Sequence, residues 1–187
     1  MTLDRLASYS QRMAMMTLCL LVAMLLLNAA YWLSPYVASI DAGNGFSFSL
    51  SNRLIGNIGA DLNIFPWWQI AGGIVISSVP LLALALGLHH LRLLFKTYGQ
   101  RAYFSSIAAQ HLGKMGKCVA IWTILELLCE PLLSYWLTLQ EPVGQRIVSI
   151  GFDSGNIVAL FFAACITVIA RILQKASELH CENQQFV

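Results

Sequence analysis

Charge is what this chain of 187 residues has least of. Its 11 Lys and Arg and 9 Asp and Glu make up 11% of the residues, against 58% hydrophobic, and mean hydropathy is +0.68. Soluble domains carry about 25% charged residues. A water-facing surface cannot be covered at less than half that density, which argues against a soluble enzyme and a disordered chain alike. The net charge of +2 is too weak to point to nucleic acid. Cysteine is absent where an oxidising compartment would use it. Cys19, Cys118, Cys129, Cys165 and Cys181 all fall in apolar runs or on the basic side of the chain, so no disulfide framework is expected. No cysteine pair has zinc-ligand spacing, and His89-His90 and His180-Cys181 are each too small to make a site, so no metal or cofactor is expected. No nucleophile–base pair or phosphate loop is visible, and an enzyme is the least favoured class.

What the chain does have is long apolar runs. A membrane helix needs roughly 20 mostly apolar residues. Four stretches qualify, at about 13–33, 68–91, 118–139 and 153–173. The expected fold is an all-α membrane protein of four transmembrane helices, one domain over 1–187. The first run is longer than the 7–15 residues of a signal-peptide core, and aromatic Tyr31-Trp32 follow Ala29-Ala30, so it is expected to remain as a span.

Orientation follows from the cations. With alternating spans, Arg5, Arg12, Arg92, Lys96, Arg101, Lys114, Lys117, Arg171 and Lys175 share one side, and only Arg53 and Arg146 take the other. Lys and Arg favour cytoplasmic loops, so both termini and the middle loop are expected there, in a bacterial inner (cell) membrane. Tyr31, Trp32, Tyr36, Trp67, Trp68, Tyr135 and Trp136 gather at the outer ends, where headgroups favour amphipathic rings.

Between the spans, Phe46, Phe48 and Leu50 alternate with Ser47, Ser49 and Ser51, and 146–152 is β-rich. A small extracytoplasmic sheet and irregular interfacial loops are both open readings. In the middle loop, Phe104, Ile107, Ala108, Leu112 and Met115 recur at three-and-four spacing. This predicts a short amphipathic helix on the inner surface, capped by Ser105. Five cations and no acid accompany it, so anionic lipids are the expected partner at that face, although orientation alone also explains the charge.

Glu126 and Glu130 are the sharpest feature. An ionisable group inside a membrane helix costs several kcal/mol, about 3 on insertion scales, and by default marks function. A spacing of four places both on one face. Burial and like charge both oppose ionisation, so at least one is expected to carry a proton. Pro131 follows and can kink the helix. Three readings stand. The carboxyls tie helices together by hydrogen bonds to Ser77, Ser78, Thr167 or Asn28, or they carry ions or protons in a small transporter, or the span ends lie elsewhere and Glu126 is wet.

The chain also resembles a known family. Leu91 to Gly99, Tyr103-Phe104-Ser105 and the stretch through Leu112-Gly113 look like the middle of the bacterial membrane family known as domain of unknown function 2975. The end is similar too: Ile169-Ala170-Arg171, Glu178-Leu179, Glu182-Asn183 and Phe186-Val187. Ala176-Ser177 and His180-Cys181 depart from its pattern. The resemblance covers roughly Trp68 to Val187. It implies four spans and a bacterial cytoplasmic membrane, and supplies no reaction or cofactor. Relatives encoded beside helix-turn-helix regulators imply a regulatory role. The favoured reading is a non-enzymatic regulatory or partner-binding membrane protein, with a protein partner or a homo-oligomer; the alternative is a subunit of an ion- or proton-linked transporter or channel.

Overall fold

Lipid offers a backbone no hydrogen-bond partner, and a helix satisfies its interior N–H and C=O groups within one segment. The computed structural model accordingly has four long helices among its described residues, which are 3–33, 65–100, 105–140, 142, 146, 148–151 and 154–185. They are α1 (Leu3–Leu33), α2 (Trp67–Gly99), α3 (Ser106–Leu137) and α4 (Ser154–Gln185). Each is long and apolar enough to cross a membrane. At 1.5 Å per residue a helix of 31 to 33 residues is about 46–50 Å long, more than the roughly 30 Å hydrocarbon core requires. Pro80 and Pro131 lie inside α2 and α3, and each helix continues through its proline.

One sequence expectation changes here. The amphipathic segment of the middle loop is not a separate surface helix. It forms the first turns of α3, with Ala108 and Ala109 buried. Nothing between Lys117 and Cys118 breaks a helix, so the polar turns and the apolar run propagate as one. Ser105 does cap it: Ile107 N donates to Ser105 Oγ (3.2 Å). Among the described residues there is no strand. Phe46, Phe48 and Leu50 lie outside those residues. Residues 148–151 are irregular, and Ser149 N donates to Ser134 Oγ (3.0 Å) rather than to a strand neighbour.

Packing divides the chain into two compact units. One comprises Met1–Leu21, Ala83–Ile121 and Ser154–Val187. In it α4 buries Asn156, Ala163, Ala170 and Ser177, a seam of small side chains repeating every seventh residue. Opposite them on α3 are glycines. A methyl at Gly113 would touch Ala170 Cβ (3.4 Å), and one at Gly116 would press on Thr167 Oγ1 (2.7 Å) and Ala163 O (3.1 Å). Small residues on both sides let the two backbones approach, the main source of attraction between helices that lipid solvates equally well apart. Thr167 uses its hydroxyl on its own helix, donating to Ala163 O (2.8 Å). An open hollow of about 700 Å³ is lined by Ser8, Gln11, Arg12, Met15 and Met16 of α1.

The other unit comprises Val22–Leu82 and Trp122–Asp153. Its core is Trp32, Cys129, Leu133 and Leu137, with Phe65, Ile70, Ile74 and Ile76 packed against it. The adjacent glycines Gly72 and Gly73 give α2 two slots, one filled by the Trp136 ring of α3 and the other by the Trp32 ring of α1. Trp68 meets Trp136 edge to face, with centroids 5.7 Å apart.

Candidate functional site

In this second unit α3 turns an unusual face inward. Thr123, Glu126, Glu130 and Ser134 are all buried, alongside Cys129, Leu133 and Leu137, as is Thr138 just past the helix. Glu126 is 7% exposed and Glu130 only 3%. Their spacing of four puts the carboxyls one turn apart on one side, as sequence indicates. Glu130 lies seven residues before the end of α3, about 10 Å along the axis, and Glu126 about 16 Å.

The segment after α3 returns across this face. Ser134 Oγ donates to Pro131 O (3.1 Å) and accepts from Ser149 N (3.0 Å), so one hydroxyl pins the returning segment to the helix. Two residues on, the Gly151 backbone lies directly against Glu130. A methyl at Gly151 would overlap Oε1 and stand 2.8 Å from Oε2. Glycine is required by close approach, not by a turn conformation. Gly151→Ala is expected to displace the carboxyl and cost about 1 kcal/mol, since a Glu side chain yields more easily than a ring or a backbone. Combined with Glu130→Ala the penalty should largely vanish. Unfolding of the two single variants and the double variant measures that coupling, and strict additivity would show that the two residues do not meet.

Ser77, Ser78 and Asn28 join two helices. Asn28 Nδ2 donates to Ser78 Oγ (3.4 Å), and Trp32 Nε1 donates to Ser77 Oγ (3.2 Å), whose own hydroxyl donates to Ile74 O (3.2 Å). These bonds join α1 to α2 at the level of the Trp32 slot. A third junction was not evident in the sequence. Gln69, fully buried, donates through Nε2 to Trp136 O (3.0 Å) and Leu137 O (2.9 Å), and Trp136 Nε1 donates back to Gln69 O (2.9 Å). The last carbonyls of a helix lack intrahelical donors, and here the first turn of α2 supplies them. A lone Gln near a span end carries no motif, so only its placement opposite a helix terminus reveals the role.

Among the described residues no three His, Cys, Asp or Glu side chains gather to hold a metal ion. The described cysteines, Cys19, Cys118, Cys129 and Cys165, are free thiols. Chemically, the buried face offers hydrogen-bonding carboxyls and hydroxyls between helices. No curated protein and no solved structure matches this chain. A family model does, over residues 9–187, well beyond the portion that carried the resemblance, and the chain belongs to that family, described as protein of unknown function (DUF2975).

Proposed function

We propose that this multi-pass membrane protein is non-enzymatic and acts by binding, holding a protein partner at the cytoplasmic face of a bacterial inner membrane. One observation carries this reading: the buried polar groups join one segment of the chain to another. Gln69 ties α2 to α3, Trp32 ties α1 to α2 through Ser77, and Ser134 ties α3 to the segment that covers Glu130. The carboxyl of Glu130 lies against the Gly151 backbone with no space for a methyl. A hydrated ion needs more room than that. Glu126 and Glu130 in this reading are structural ties between packed elements.

The surfaces left for function are the polar helix ends. Nine of the 11 cations orient them toward the cytoplasm: Arg5, Arg12, Arg92, Lys96, Arg101, Lys114, Lys117, Arg171 and Lys175. Lys96, Lys114 and Lys117 are exposed. The hollow beside Arg12, floored by Met15 and Met16, suits an anionic headgroup above an acyl chain, which supports anionic lipid as a second partner.

Two measurements test the proposal. Proteoliposomes holding a pH-sensitive dye should show no proton flux above protein-free vesicles. Crosslinking in native membranes should capture a partner in fixed stoichiometry that is lost in Lys114→Glu/Lys117→Glu. A proton flux abolished by Glu130→Gln would overturn this reading in favour of transport, the role that two buried carboxyls on one helix face would serve.

A further inference from the structure

His90 of α2 and His111 of α3 come from distant points in the chain and meet in the first unit. Their Nδ1 atoms stand 3.3 Å apart, with ring centroids 5.5 Å apart and planes tilted by 32°. Both rings are partly buried, so neither is free to swing through solvent. Read as an N–H···N hydrogen bond, 3.3 Å is at the long end, since even N–H···O bonds extend only to about 3.2 Å. A second geometry fits the same spacing. Imidazole nitrogens bind zinc at about 2.0–2.1 Å, and two such ligands at a tetrahedral angle are separated by about 3.3–3.4 Å. The two facing nitrogens are therefore spaced as adjacent corners of a metal-centred tetrahedron.

We propose that His90 and His111 together bind a divalent transition-metal ion of the zinc, nickel and copper class, clipping α2 to α3. Imidazole is the ligand these ions share, whereas magnesium and calcium require oxygen donors. The protein supplies two ligands, and water or an anion completes the shell, because no third metal-ligating side chain among the described residues joins the pair. The ion thus binds reversibly and keeps open positions. His89, next in sequence, is exposed and its ring lies 6.1 Å from that of His90. Adjacent helical residues point about 100° apart, so His89 does not share the corner. Lys114, one turn beyond His111, opposes a bound cation, but its side chain is exposed and solvated. The site is separate from Glu126 and Glu130, which lie in the other unit.

The test uses tag-free, chelator-treated protein in detergent. Zinc chloride at an excess over the protein should raise Tm by about 3 °C or more, and magnesium chloride should not. His90→Gln and His111→Gln should each lose the zinc shift, while His89→Gln and Cys118→Ser keep it. The wild-type protein loaded with one equivalent of Cu²⁺ should show hyperfine coupling to two imidazole nitrogens by electron paramagnetic resonance, a readout that needs no variant. A zinc shift that survives His111→Gln, or a copper spectrum without nitrogen coupling, overturns the proposal. In that case the pair is a hydrogen bond between two rings.

Discussion

Replacing Gln69 by Leu is expected to destabilise the protein by about 2–4 kcal/mol, among the largest single-residue effects in the molecule. Leu matches Gln closely in volume, so the change tests hydrogen bonding rather than packing. It removes both donors that Nε2 gives to α3. Leu137 O then loses that donor in a buried place, and Trp136 O keeps a longer bond from Leu139 N (3.4 Å). A buried acceptor that loses its partner costs about 1–3 kcal/mol, more than the net value of the bond itself. Gln69→Glu should fare no better at neutral pH. A carboxylate has no donor and would face two carbonyl oxygens. Gln69→Asn keeps the amide but not the reach, and should fall between wild type and Leu only if the helix ends can close. Thermal unfolding in a fixed detergent ranks the three. If Gln69→Leu unfolds at the wild-type temperature, the clasp between α2 and α3 contributes nothing.

The second large effect is expected at Gly73. A methyl there would overlap the Trp32 ring, standing 2.6 Å from Cζ3 and 2.8 Å from Cζ2. The ring cannot give way. It is 2% exposed, and its Nε1 is held by Ser77 Oγ at 3.2 Å. Gly73→Ala should therefore cost about 3 kcal/mol, the upper range for an overpacked core, despite improved helix propensity. The cause is separable from the loss of glycine. Trp32→Leu vacates the slot, so Gly73→Ala should be nearly neutral in that background, a coupling of about 1–3 kcal/mol between residues in contact. Gly72→Ala makes the same comparison against Trp136, where the ring is also held, by its bond to Gln69 O. Equal effects of Gly73→Ala in both backgrounds would mean that Trp32 does not occupy the slot.

These two sites show how far the chain could be read without its structure. Four apolar runs in a chain with 11% charge admit only a membrane protein, because neither lipid nor backbone leaves another arrangement. Glu126 and Glu130 were legible as an inward pair, since a period of 3.6 residues fixes the common face and their polarity forbids lipid. Ser105 was legible as a cap because the rule is local. The extent of α3 was not, since amphipathic and apolar patterns each looked complete and no local signal says that they join.

Pairing across helices is where sequence stops. Periodicity and hydropathy indicated that Glu126 and Glu130 share an inward face. They could not say that Gly151 returns to lie on Glu130, that Gly72 and Gly73 are slots for Trp136 and Trp32, that Gln69 completes the end of α3, or that His90 finds His111 twenty-one positions away. Periodicity reports which face of a helix turns inward, and carries no term for which residue of another helix it meets. In a membrane that choice rests on close packing and single hydrogen bonds, because lipid removes the hydrophobic difference between inside and outside. The tertiary structure alone decided those contacts.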